Sequence, residues 1–145
     1  MTLIRFRQEY LEAVASGKKT CTIRLWKRPP RLKPGDRVRL AFGRRDRPTI
    51  LEAVVERVEE YHIPEEVEVV RAVMDASSDE EAERILDALP EEDKGLPSPD
   101  WWPRFAEAMA ASGMDPEEDY VDLLVEMAVA GVDTAYAIWF RVVGG

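Results

Sequence analysis

Asparagine is absent from this chain and glutamine occurs once, as Gln8, among 15 arginines, 5 lysines and 29 acidic residues. So few amides among so many ions fit a thermophilic source, and a GC-rich genome would leave the same mark. A single cysteine, Cys21, excludes an internal disulfide, and with a single histidine, His62, the chain cannot assemble an ordinary zinc set. No metal and no cofactor is therefore expected. No apolar run approaches the ~18–20 residues that span a bilayer, so no membrane partner is expected. Met1-Thr2-Leu3-Ile4-Arg5 leads straight into a strand and helix rather than a signal peptide, which predicts a cytoplasmic protein. No internal repeat or low-complexity tract is evident. With 145 residues, 46% apolar and 34% charged, the chain suits one globular domain over 1–145.

What is present is unevenly distributed. The net charge of −9 averages two unlike segments: residues 1–49 carry 14 Lys/Arg against 4 Asp/Glu, and residues 50–145 carry 6 against 25. A block of this sign is an electrostatic footprint for a phosphate-bearing partner. The alternative is that the halves neutralise each other across an interface, or simply face water.

The basic block contains the octet Gly17-Lys18-Lys19-Thr20-Cys21-Thr22-Ile23-Arg24. A short strand over 3–6 precedes it, then Phe6, Tyr10, Leu11, Val14 and Ala15 fall at helical spacing, and Gly17 is the residue to end that helix. From Thr20 to Leu25 the period becomes two. Cys21, Ile23 and Leu25 share a core face, and Thr20, Thr22 and Arg24 share an exposed or site-lining face. Strict alternation puts Lys18 rather than Lys19 with Thr22 and Arg24, so Lys19 must reach round from a turn. Lys18, Lys19 and Arg24 can neutralise phosphate, and the planar fork of Arg24 can grip two acceptors. Lysines just past a helix also complement its negative end, a purely structural role.

Trp26 to Pro34 is a basic, proline-broken connector, and Lys33-Pro34-Gly35-Asp36 is a turn into a strand over 37–42. Residues 43–48 read as a hairpin loop and 49–61 as the next strand. Val67, Val70, Val73 and Met74 suit a helix face, and Ser78-Asp79-Glu80-Glu81 is a capping-box start. A polar connector follows over 90–99, then a helix over 103–111. Asp115-Pro116-Glu117-Glu118 signals another helix start, with Val121, Leu124, Met127 and Ala128 on one face. The span 134–143 closes the chain as a strand.

The octet resembles the G-x-K-x-x-x-x-R signature of ASCH domains, small β-barrel modules of the PUA-like superfamily, with Gly17, Lys19 and Arg24 at the fixed positions. The Pro-Gly-Asp turn before a Val/Leu strand is similar to what PUA-like barrels carry there. The resemblance covers 1–62 well and extends to 134–143. It implies an α+β fold: a PUA-like (ASCH) β-barrel from those segments, with an acidic α-helical insertion over about 64–130. It further implies recognition of RNA or a nucleotide-like ligand in a basic cleft, through Gly17, Lys19, Thr22 and Arg24; beside them, Lys18 is a further candidate phosphate contact and Trp26 a candidate stacking surface.

One branch that the octet resembles consists of small bacterial amidohydrolases that deacetylate N4-acetylcytidine with a Lys-Thr-Glu triad. Carried over, the catalytic pair is Lys19 and Thr22. The glutamate has no counterpart, since counting back from Met114 gives Ser112-Gly113, and Glu107 and Glu118 are the nearest acids. A threonine hydroxyl needs a base, and Lys19 serves only if its pKa falls from ~10.4 toward ~7–8. A third reading, from another class, has the acidic helices bind a basic protein. The acid beside Lys19, if any, discriminates among these. Cys21 reads as a core cysteine and His62 as a hydrogen-bonded boundary residue. Trp101 and Trp102 read as the core anchor of a helix start, with base stacking as their alternative role.

Overall fold

The computed structural model describes residues 2–87 and 100–143, and the connector expected over 90–99 lies outside them. Its strands are β1 (Thr2–Phe6), β2 (Cys21–Arg24), β3 (Arg37–Phe42), β4 (Thr49–His62) and β5 (Thr134–Val142). A single 3-10 turn, Gln8–Tyr10, leads into α1 (Leu11–Ala15). Between β4 and β5 lie α2 (Pro64–Met74), α3 (Asp79–Asp87), α4 (Trp102–Ala111) and α5 (Tyr120–Ala130). No described helix is long and apolar enough to cross a membrane.

The strands form one sheet in the order β1-β3-β4-β5-β2, antiparallel throughout except for the parallel β1–β3 pair. β5 is the keystone because both of its faces are buried. Tyr136, Ile138 and Phe140 join Ile4, Phe6, Val14, Val38, Leu40 and Phe42 in an inner core. Ala135, Ala137 and Trp139 point the other way, into an outer core with Val67, Phe105, Met109, Leu124 and Met127 of the helices. The period-two alternation of an apolar strand buried on both sides explains this division. A bulge between Val55 and Arg57 lets β4 serve both layers, with Val55 inward and Tyr61 outward beyond it.

The sheet curls as a half-barrel. Its edge strands, β1 and β2, stand at opposite ends of the pairing order, yet Arg24 Nη2 of β2 donates to the Arg5 carbonyl of β1 at 2.8 Å. A side chain, not a backbone ladder, joins the two edges.

The helix signals largely hold. Ser78 Oγ accepts from Glu81 N at 3.2 Å, as a capping box requires. Asp115 differs: its carboxylate accepts from Glu117 N at 2.9 Å in a turn of its own, and α5 begins only at Tyr120. The local cap is satisfied without the helix that the sequence pattern suggested.

Because Ile138 is fully buried at the centre of the inner core, Ile138→Ala is expected to cost about 2–5 kcal/mol, checked by urea denaturation. The exposed Val129→Ala serves as the control and should stay within about 0.5 kcal/mol.

Candidate functional site

Gly17 sits at φ +83°, the left-handed conformation that terminates α1, with its N–H on the Val14 carbonyl at 3.2 Å. The next bond is made by Lys19, whose N–H returns to the Ala13 carbonyl at 2.9 Å. The chain thus wraps over the helix end, and β2 begins only at Cys21. Strand alternation does not extend back to the lysines, so Lys19 turns inward while Lys18 stays exposed.

What receives Lys19 is the end of α4. Gly113 closes that helix with its N–H on Ala110 O (3.1 Å), and Met114 N returns to Met109 O (2.9 Å). This motif leaves the carbonyls of Ala111 and Ser112 without helical donors. Thr20 N takes the first at 3.0 Å, and the Lys19 ammonium donates to the second. Lys19 is 6% exposed and lies 5.1 Å from the Tyr10 ring centre and 5.8 Å from that of Phe6.

Arg24 approaches the same Phe6 ring, with Cζ 4.8 Å from its centre. Its Nε donates to Thr22 Oγ1 at 3.0 Å while Nη2 holds Arg5 O. Thr22 is buried, so its face is not an exposed one. Among the described residues, no carboxylate forms an ion pair with Lys19 or Arg24. Burial lowers the Lys19 pKa to about 8, the Cys21 thiol opposes this, and Arg24 adds to the fall. Burial also pulls Arg24 below its ordinary value.

The other sequence candidates distribute around this centre. Nothing lies within 4 Å of a side chain added at Gly17. Trp26 is half-buried and lines a cavity of about 250 Å³ with Lys27, Asp133, Thr134 and Tyr136. That cavity adjoins the site, because Tyr136 is the register partner of Arg24. Glu107 and Glu118 are exposed and pair with neither cation. Trp101 and Trp102 pack edge to face at 6.2 Å against the outer core, as a helix anchor would. Cys21 is fully buried, with its thiol pushed up to about 12 by burial. His62 is exposed, and its Nδ1 lies 2.9 Å from Thr134 Oγ1.

Sequence reasoning missed Phe6 and Tyr10 as parts of the site, because helical spacing marked both as core. It also missed the Ser112 main chain, which no side-chain pattern could have signalled.

No family model and no curated protein matches this chain. Among solved structures it is similar to a tyrosine-to-phenylalanine mutant of ZmASCH from Zymomonas mobilis. The TM-score is 0.52 at 18% identity, covering 96% of this chain and 67% of that one.

Lys19 also gives the site a pH signature. A folded pKa near 8 below an ordinary 10.5 means the unfolded chain binds the extra proton between those values. Its penalty is therefore full below pH 8 and relieved as pH rises toward 10.5. The stability of the wild type relative to Lys19→Met should rise by on the order of 3 kcal/mol over that window. Denaturation of both proteins at pH 7, 8.5 and 10 checks this, the difference cancelling the other titrating groups.

Proposed function

We propose that this chain, which has the ASCH, PUA-like fold, binds RNA or a nucleotide-like anion at the mouth of its half-barrel. The observation that carries this reading is the pair of cations on Phe6. Lys19 and Arg24 are drawn out of water with no carboxylate to neutralise them among the described residues, an arrangement that an anionic ligand would complete. Arg24 spends one N–H on Thr22 and one on Arg5, and the rest of its fork is free to meet phosphate. The adjoining cavity supplies the half-buried Trp26 as a surface for an unpaired base, with Lys27 at its rim.

The distribution of ion pairs supports the same reading. Only Arg37–Glu52, at 3.7 Å, joins the basic segment 1–49 to the acidic remainder among the described residues. Lys18, Lys27, Arg28, Arg31, Arg39 and Arg45 are exposed and unpaired there. Exposed cations of this kind support a basic surface available to a partner.

Deacylation chemistry draws less support. The group on Lys19 is a main-chain carbonyl, which accepts a hydrogen bond but shuttles no proton, and Thr22 Oγ1 already accepts from Arg24.

Single-stranded RNA should bind with an affinity that falls steeply with salt. Removing two phosphate contacts with Lys18→Ala and Lys27→Ala should lower the log–log salt slope by about 1.4, at ~0.7 per contact. Arg24→Ala should weaken binding about tenfold or more, and since Arg24 also joins the sheet edges, its fold is checked by circular dichroism. Fluorescence anisotropy from 50 to 300 mM salt reads both, and unchanged binding in both folded proteins would remove the octet from the interface.

A further inference from the structure

The cavity beside Trp26 carries one group that phosphate binding leaves unexplained. Asp133 stands on its wall, and the Asp133 side chain is 53% exposed. A carboxylate next to a phosphate site works against a polyanion unless something in the ligand answers it.

The surroundings fix where that carboxylate sits. Gly131, at φ +73°, ends α5 in the left-handed conformation, and Val132 N returns to the Met127 carbonyl at 3.0 Å. The Asp133 carbonyl then accepts from Ile63 N at 2.8 Å, which pins the connector to the end of β4. Thr134 Oγ1 donates to Asp133 Oδ1 at 3.3 Å. His62 Nδ1 lies 2.9 Å from the same hydroxyl and 3.5 Å from the same carboxylate oxygen. A carboxylate has about four acceptor positions, so Oδ1 is only partly used. Oδ2 has no partner among the described residues.

Strand register sets this carboxylate beside the indole. Arg24 pairs with Tyr136 on β5, and His62 of β4 pairs with Thr134. Trp26 lies two residues beyond Arg24, and Thr134 two residues before Tyr136, so the same antiparallel register brings Trp26 level with Thr134. Both line the cavity. Trp26 packs on the inner core yet is only half-buried, which leaves part of the indole to the cavity. At about 250 Å³ the space falls below the ~300–1,000 Å³ of drug-sized sites and suits a single base.

Hydrogen-bond chemistry selects the base. Guanine presents its ring N1–H and its exocyclic amino group side by side, two parallel donors for two carboxylate oxygens. Cytosine and adenine present an amino group beside an unprotonated ring nitrogen, and uracil presents one N–H between two carbonyls. Each of these sets an acceptor lone pair against the carboxylate. An acid in this place thus penalises the other bases while it holds guanine.

We infer that this cavity reads guanine: the base stacks on Trp26 while its N1–H and amino group donate to the Asp133 carboxylate, which Thr134 positions. The inference rests on the RNA-binding reading above and adds a base preference to it.

Short oligouridines carrying guanine, adenine, cytosine or hypoxanthine at one central position are the probes, with plain oligouridine as reference. Fluorescence anisotropy with the full chain at low salt should give guanine about tenfold tighter binding than uracil, the discrimination of one bidentate pair. Adenine and cytosine should stay near uracil. Hypoxanthine lacks only the exocyclic amino group of guanine, so it should lose most of the preference with the protein unchanged. Asp133→Asn should remove most of the guanine-to-uracil ratio, a ratio that cancels the general gain from deleting a negative charge beside RNA. Its fold is checked by circular dichroism, and the bond to Ile63 uses the main chain, which the substitution keeps. Equal affinity for every oligomer, full affinity for hypoxanthine, or a guanine preference that survives Asp133→Asn would overturn the inference and leave RNA binding standing. No salt-dependent binding by any oligomer would overturn the binding reading, and this inference with it.

Discussion

One guanidinium joins the two free edges of this sheet. β1 and β2 stand at opposite ends of the strand order and share no ladder, so the curl would leave two unpaired edges facing each other across the inner core. Arg24 spans them, bonded at Nε to Thr22 on its own strand and at Nη2 to Arg5 on the other. A planar fork of fixed geometry that never loses its charge can make both bonds at once, whereas a lysine ammonium on a flexible stem cannot. The residue that closes the curl also carries positive charge onto the face of Phe6. Closure of the fold and presentation of the cation are therefore one event.

The second cation is held by a different device, and the difference has consequences. Lys19 bonds to the carbonyl of Ser112 just past the last turn of α4, where the aligned peptide dipoles amount to roughly half a negative charge. A carboxylate in that place would neutralise the ammonium and hold its proton firmly. A helix end positions the ammonium while leaving most of its charge uncompensated. That is why burial can bring its pKa down to about 8, close to neutrality. An incoming phosphate would restore what burial has taken, tightening the hold of Lys19 on its proton as it binds.

Much of this was legible in the sequence, and the parts that were not share a cause. The β2 alternation, the Pro34-Gly35 turn, the 37–42 strand and the two-faced closing strand follow from local periodicity, because each strand's face is fixed by what it buries. The octet was legible because its three kinds of chemistry are adjacent in the chain. Helical spacing marked Phe6 and Tyr10 as core, and core they are, but the same rings also face the two cations. Parity favoured Lys18 over Lys19, since parity assumes a strand where the chain is still wrapping around the end of α1. The partner of Lys19 is a main-chain oxygen 93 residues away, and no side-chain pattern encodes it.

Net charge gives the wrong sign for the partner proposed here, and the reason is length scale. At physiological salt a charge is screened over about 8 Å, so an approaching polymer responds to the surface beneath it rather than to the total. A −9 chain repels RNA only if its charges are mixed, and here they are sorted: the cations belong to residues 1–49, and a single described ion pair crosses to the acidic remainder. Cross-neutralisation would have shown as a lattice of such pairs along the junction. Among the described residues one such pair is found, so most cations of residues 1–49 are not neutralised by contact with the acidic remainder. On the binding reading proposed here, the exposed cations of residues 1–49 would draw a polyanion toward the half-barrel mouth, and the acidic remainder would repel it. Orientation then comes from the separation of charge, and depends little on its sum.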